Sequence, residues 1–258
     1  MITSDFHVHT IFCDGRDKPE DIILRAISLG MNKIGFSGHS YTPFDEEPCM
    51  SPDSTEKYKL EINRLKREYK SKIEILCGIE QDYYSDMPVN DYDFVIGSVH
   101  YINCNGEFQH VDSSPEKLAR LIHDLGDDVY LLAEKYFSLV SDVVNKTQAS
   151  IIGHFDLITK FNEVNKIFDV NNPRYVKAAF SAVDSLIKTG RPFEINTGAI
   201  SRGYRTSPYP DKKILEYIAE KGGKVILSSD SHSKETLLFK FDECEKLAKS
   251  LNLEVVTL

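Results

Sequence analysis

Short apolar, β-branched runs alternate along this chain with longer segments of helical periodicity, the pattern of successive β/α units. Seven runs read as strands: Ile2 to Val8, Lys33 to Ser37, Ile73 to Ile79, Phe94 to Val99, Ser150 to His154, Pro192 to Asn196 and Lys224 to Ser229. Helices are expected over Pro19 to Leu29, Thr55 to Tyr69, Pro115 to Lys146, Pro173 to Lys188, Asp211 to Ala219 and Lys234 to Leu251. Pro19 suits a first helical turn and Gly30 a stop. Runs such as Ile73-Glu74-Ile75-Leu76 and Val225-Ile226-Leu227 are nearly continuous in apolar residues, as strands covered on both faces are, which predicts a parallel sheet or barrel. Tyr41 to Asp53 and Tyr83 to Asp91 fit neither period and read as long loops able to wall a pocket.

Composition narrows the setting. The 258 residues suit one large domain, 1–258, rather than two with separate cores, and no repeat, low-complexity tract or linker divides them. No stretch approaches the roughly 20 apolar residues of a spanning helix, so a soluble protein with no membrane partner is expected. The N-terminal Met1-Ile2-Thr3-Ser4-Asp5-Phe6-His7 lacks a basic segment followed by an apolar run, which predicts no secretory signal and a cytoplasmic location. Cys13, Cys49, Cys77, Cys104 and Cys244 form no C-x-x-C pair and read as reduced thiols. A net charge of −9 disfavours a broad grip on nucleic acid, while a local basic patch around a small anion stays compatible with it.

The chemistry gathers where strands are expected to end. Asp5-Phe6-His7-Val8-His9 closes the first, and i, i+2 spacing sends His7 and His9 to one side of an extended chain, an arrangement suited to a divalent transition metal. The second ends Gly38-His39, the third Gly78-Ile79-Glu80, the fourth Ser98-Val99-His100, the fifth Gly153-His154 and the seventh Asp230-Ser231-His232. Six of the eight histidines thus terminate strands, leaving His110 and His123 as surface or structural residues. Small neighbours leave room for metal and substrate, and Glu80 has one oxygen for each of two cations. Asp14, just past the first strand, reads alone as part of a turn, but its nearness to His7 and His9 makes it a candidate ligand. So many ligands exceed one tetrahedral site and point to two or three divalent ions. Ligands at the C-terminal ends of strands also favour a barrel over an open sheet.

These strand ends resemble, over almost the whole chain, the PHP (polymerase and histidinol phosphatase) family, and within it the histidinol-phosphate phosphatase branch. The resemblance implies a distorted (β/α)7, TIM-like barrel with up to three ions of zinc, iron or manganese. It implies one ion on His7, His9, Glu80 and Asp230, a second on Glu80, His100 and His154, and a third on Asp14, His39 and His232. It further implies hydrolysis of histidinol phosphate to histidinol and inorganic phosphate, in histidine biosynthesis. Some members carry histidine where this chain has Asp14.

Beyond the metals, Arg202 in the segment after the sixth strand suits a forked grip on phosphate, Asn196 ends that strand, and Lys160 is a second candidate cation. Arg16 and Arg205 are not expected in the site. An ammonium group on the substrate calls for a carboxylate not used by metal; Asp17 is the first choice, with Glu46 and Glu47 as alternatives. Metals that bring a water's pKa near neutrality would make a side-chain base unnecessary, the cations would neutralise the phosphoryl oxygens, and Asp230 or His232 would carry the proton to the leaving group. Two other enzymes compete with this reading: a phosphodiesterase or exonuclease on short nucleic acid, disfavoured by the acidic balance, and an amidohydrolase, in which Arg202 and Lys160 lack a partner. A non-catalytic metalloprotein is the rival of another class, against which stand open His and carboxylate ligands rather than closed cysteine sites.

Overall fold

A computed structural model describes residues 2–258. Ten strands form: β1 (Ser4–Asp5), β2 (Lys33–Phe36), β3 (Glu74–Asp82), β4 (Phe94–Ser98), β5 (Tyr101–Cys104), β6 (Glu107–His110), β7 (Ile151–Ile152), β8 (Phe193–Asn196), β9 (Lys224–Ser228) and β10 (Glu254–Val255). Eight of them make one sheet in the order β1-β2-β3-β4-β7-β8-β9-β10, parallel throughout, and β5 and β6 stand apart as an antiparallel hairpin. All seven expected strands are present. The hairpin and β10 were not expected, and β1 is shorter than its apolar run because its ladder breaks after Asp5 and resumes only as a bridge at Val8.

The sheet curls until its two sides meet at the strand ends. Val8 bridges Ser231, with the His9 N–H donating to the Ser231 carbonyl at 2.8 Å and the Ser231 N–H to the His7 carbonyl at 2.9 Å. At the other end of the seam β10 lies along the start of β9, Glu254 opposite Lys224. Period 2 fixes what faces inward: on β3, Leu76, Gly78, Glu80 and Asp82 share a face, while Ile75, Cys77 and Ile79 join the outer core. The interior is filled by Phe6, Phe94, Ile96, Ile151 and Ile226, with Val256 and Leu258 packed below. Gly35 and Gly78 make that possible, since a Cβ at Gly78 would lie 2.3 Å from the Phe94 ring and one at Gly35 2.8 Å from it.

The helices are α1 (Pro19–Ser28), α2 (Pro52–Glu68), α3 (Pro115–Asp124), α4 (Val129–Thr147), α5 (Asn162–Asn165), α6 (Pro173–Leu186), α7 (Gly198–Ser201), α8 (Lys212–Glu220) and α9 (Phe241–Ser250). Two outer cores flank the sheet, one under α1 and α2 and a larger one under α3, α4, α6, α8 and α9. Ser51, Ser114 and Asn172 cap α2, α3 and α6, and each is followed by a proline that costs no hydrogen bond there. The single helix expected over Pro115 to Lys146 is two: Gly126 and Asp127 take positive φ of 79° and 61°, and Asp128 then caps α4 from its side chain. Leu238 and Lys240, also at positive φ, likewise confine the last expected helix to α9 after a 3-10 turn at Lys234–Thr236. Among the described residues no helix is long and apolar enough to cross a membrane, and all five cysteines are free.

Candidate metal centre

The inward face of β3 delivers Glu80, 1% exposed, to the middle of the strand ends. Its two oxygens face different partners. Oε2 lies 3.3 Å from His7 Nε2, 3.6 Å from His9 Nε2 and 2.9 Å from His39 Nδ1. Oε1 lies 2.8 Å from His154 Nε2 and 3.3 Å from His100 Nε2, and accepts the Ser98 hydroxyl at 2.8 Å. Asp230 likewise directs Oδ1 toward His9 Nε2 (3.4 Å) and His7 Nε2 (3.8 Å), and Oδ2 toward Arg202 Nη2 (2.9 Å). Asp14 Oδ2 is 3.0 Å from His232 Nε2 and 3.6 Å from His39 Nε2, while Oδ1 is 3.5 Å from His9 Nδ1. All nine ligands read from the sequence therefore converge, six imidazoles around three carboxylates, with His9 stacked on His232 at 4.1 Å between centroids.

Donor atoms within 4.8 Å of one another form three overlapping sets: His9, Asp14, His39 and His232; His7, His9 and Asp230; and His39, Glu80 and His100. Compared with the grouping implied by the family resemblance, His9 also faces the Asp14 set and His39 also faces Glu80.

Several atoms of these residues make no hydrogen bond within the protein. His7 Nε2, His9 Nε2, Glu80 Oε2 and His154 Nδ1 are buried without a hydrogen bond, a costly state unless a cation completes it. Other carboxylates set the rings: Glu194 Oε1 pairs with His7 Nδ1 at 2.7 Å, and Asp82 Oδ2 with His100 Nδ1 at 3.1 Å, turning each Nε2 toward Glu80. Burial opposes charge on Glu80, yet His39, His7 and His100 outweigh it and hold the carboxyl well below its usual range. For Asp230, Arg202 and His7 outweigh burial in the same way. Burial pushes His7 down, but Glu194, Glu80 and Asp230 raise it to about 10, and Glu80 and Asp82 bring His100 to about 10 against the same opposition. The field thus favours positive charge at these nitrogens, which protons satisfy in the metal-free protein and divalent cations satisfy better. The residues fit a metal centre.

Above it opens a cavity of about 450 Å³. One wall comes from the loop after β2, with Asp45, Glu47 and Cys49, and from the hairpin, with Tyr101 and His110. Asp45 Oδ2 joins the two, pairing with His110 Nε2 and accepting the Tyr101 hydroxyl at 2.9 Å, while Phe44 stacks on Phe108 at 4.0 Å. The lining also carries Lys160, Arg202 and Tyr204, from the segments after β7 and β8. Lys160 Nζ donates to the Asp112 carbonyl (2.8 Å) and carboxylate (3.1 Å). Arg202 is seated close to Asp230 because Gly198 lacks a side chain; a Cβ there would meet Asp230 Oδ2 at 2.5 Å.

Two expected contacts are not in this cavity. Asn196 is fully buried, donating to Glu194 Oε2 and accepting the Gly198 N–H, so it shapes the turn into α7 instead of facing the mouth. Asp17 turns away to accept the Lys234 N–H at 2.9 Å. Of the alternatives, Glu47 lines the cavity and Glu46 bonds Tyr41. His110, read as surface or structural, lines the wall, whereas His123 is 76% exposed. Glu194 and Asp82 were missed; the signal available was a charge in an apolar strand, two residues before Asn196 and two after Glu80.

The sequence profile of the PHP domain matches residues 5–198. The chain belongs to the PHP domain family. A Schizosaccharomyces pombe relative named "Probable histidinol-phosphatase" is 30% identical, covering 90% of this chain and 80% of its own. The histidinol-phosphatase of Bacillus subtilis is 25% identical over 90% of this chain and 94% of its own. Among solved structures, the histidinol phosphate phosphatase of Lactococcus lactis, complexed with zinc, L-histidinol and phosphate, superposes with a TM-score of 0.73 at 23% identity, covering 98% of this chain and 95% of that one. A Listeria monocytogenes structure reaches 0.79 at 20% identity, covering 93% and 99%. At these identities the solved structures establish the PHP fold for this chain.

Proposed function

We propose that this PHP protein hydrolyses histidinol phosphate to histidinol and inorganic phosphate, and that all of 1–258 is one PHP-type domain, a distorted (β/α)7 barrel with β10 added at its seam. The observation that carries the reading is a cluster of nine candidate ligands beneath a cavity whose lining carries both cations, Lys160 and Arg202, and acids, Asp45 and Glu47, in a chain whose relatives bear that activity in their names.

Two to three divalent ions would be held: one by His7, His9, Glu80 and Asp230, a second by Glu80, His100 and His154, a third by Asp14, His39 and His232. Zinc is favoured over iron or manganese by the Lactococcus complex. When bound, such ions supply a water acidified toward neutrality and Lewis acidity toward a phosphoryl oxygen. Glu194 and Asp82 hold their rings in the tautomer that keeps Nε2 free. Arg202 and Lys160 spread charge from the phosphoryl oxygens, the main demand of phosphoryl transfer. As water adds to phosphorus and the P–O bond to the alcohol breaks, Asp230 or His232, beside Arg202, would relay a proton from that water to the departing alkoxide. In the wall from the loop after β2, Glu47 and Asp45 take the part expected of Asp17 and receive the substrate's ammonium. The acids on this wall argue against a polynucleotide diester, so the partner is a small phosphate monoester. Five free thiols suit a reducing compartment, the cytoplasm.

The test is phosphate release from a panel of monoesters by protein reconstituted with zinc, iron or manganese. Histidinol phosphate is expected to be the preferred substrate, and Arg202→Ala to weaken it chiefly through KM. Faster nucleotide release from single-stranded DNA than phosphate release from any monoester would overturn the assignment.

A further inference from the structure

Lys160 and Arg202 reach one wall from two excursions that leave the sheet separately, Lys160 after β7 and Arg202 after β8. Between these excursions lies Arg205, only 7% exposed and outside the cavity lining. Its Nη1 donates to Thr159 Oγ1 and stands 4.0 Å from Asp156 Oδ2, and its Nε is 3.9 Å from Glu163 Oε1. The guanidinium carbon sits 4.4 Å from the centre of the Tyr209 ring. Thr159, Asp156 and Glu163 all belong to the excursion that carries Lys160. The ties also run the other way, since Glu163 accepts the Thr206 N–H at 2.8 Å and the Ser207 hydroxyl at 3.1 Å, and Asp156 Oδ2 accepts the Asp211 N–H at 3.0 Å. Nearer the mouth Tyr204 packs edge-on against Phe161 at 5.5 Å, with Lys160 Nζ 5.0 Å from its ring centre.

We propose that Arg205 is a positioning residue that locks the Lys160 excursion to the Arg202 excursion and so fixes the spacing of the two cations that grip phosphate. The proposal rests on the reading of Lys160 and Arg202 as that pair. A guanidinium suits the task because its planar fork can donate to a hydroxyl, keep its charge within 4.0 Å of two carboxylates and lay its face on a ring at once, which the point charge of lysine does not. Buried between acids, Arg205 has no freedom to wander, and its loss removes one buried tie between two loop segments, loosening their spacing while the strand ends stay in place.

The experiment measures inorganic phosphate binding by calorimetry on metal-loaded protein, together with KM and kcat. The variants are Arg205→Lys, Glu163→Gln, Lys160→Ala and the double variants with Lys160→Ala. Arg205→Lys is expected to weaken phosphate binding and raise KM about tenfold, with a smaller change in kcat and unaltered metal content, the weight of one lost charge-assisted hydrogen bond. In the Lys160→Ala background the same change is expected to lose most of its effect, because the side chain it positions is gone. Glu163→Gln, at a side chain 32% exposed, carries the same prediction in milder form if Arg205→Lys does not fold. Phosphate affinity unchanged in both variants, or effects that simply add to that of Lys160→Ala, overturns the proposal. Because the probe is inorganic phosphate, a chain that prefers another monoester would sink the histidinol phosphate reading and leave this one standing.

Discussion

Glu194→Gln isolates the contribution of a residue that touches no metal. Glu194 is fully buried and accepts three donors, His7 Nδ1 at 2.7 Å through one oxygen, and the His154 N–H at 2.9 Å and Asn196 Nδ2 at 3.1 Å through the other. An amide of the same shape cannot serve them all. With its NH2 toward His7, Nδ1 must accept and the ring proton moves to Nε2, the atom 3.3 Å from Glu80 that is needed as a lone pair. With the amide reversed, the NH2 confronts two donors, at about 1–3 kcal/mol for each left unsatisfied. Either arrangement weakens the centre, and outer-shell changes of this kind lower metal affinity about 10–100-fold, which is roughly 1.4–2.7 kcal/mol. Competition between the protein and a chromogenic chelator for zinc measures it, with circular dichroism confirming the fold. Affinity equal to that of the parent would show that Glu194 does not set the His7 tautomer.

Stripping metal with a chelator is expected to lower Tm. At metal 100 times above its Kd the bound form gains about 2.7 kcal/mol, worth roughly 5–11 °C for a chain of this size; an unchanged calorimetric Tm refutes a folded-state metal site. Gly78→Ala drives a Cβ to 2.3 Å from Phe94 and should cost about 1–3 kcal/mol or more in urea unfolding, part of which Phe94→Leu in the same chain recovers; a neutral Gly78→Ala refutes the packing argument. Burial resists charge on Asp112, but Lys160 outweighs it and holds the carboxyl below its usual range. The unfolded chain therefore takes up the proton first, so the stabilisation is complete above about pH 4 and lost as pH falls further. Asp112→Asn should flatten that acid limb of stability against pH, and a limb identical to the parent's argues against the pairing.

The sequence was most readable where one-dimensional spacing and three-dimensional position coincide. A strand end is a fixed point in a parallel sheet, so eight of the nine candidate ligands could be read from their position after apolar runs, and Asp14 from its nearness to His7 and His9; the structure brings these nine side chains together. Arg202 and Lys160 were legible as cations near those ends. Asp17 was not, because a loop residue three positions past Asp14 is free to turn, and it does, toward Lys234. Asn196 was chosen and Glu194 overlooked on the same face of the same strand; alternation alone cannot say which of two inward polar residues meets the centre. Lys146 remains in a helix as expected, but the Gly126-Asp127-Asp128 signal for a stop and a fresh cap was passed over in favour of continuous periodicity. The hairpin and β10 are too short for periodicity to register, and their pairing depends on chain neighbours far away in sequence.

The seam between Val8 and Ser231 has a consequence for assembly. His7 and His9 lie just after β1 and Asp230 and His232 in the segment after β9, more than two hundred positions later, so the cluster exists only once these two parts of the chain have zipped together. A cation shared across that join acts as a clasp on a garment: it holds nothing until both edges arrive, and thereafter the edges cannot part without releasing it. Exchange of the backbone amides of His9 and Ser231 with solvent should for this reason track metal occupancy more closely than any other pair in the sheet.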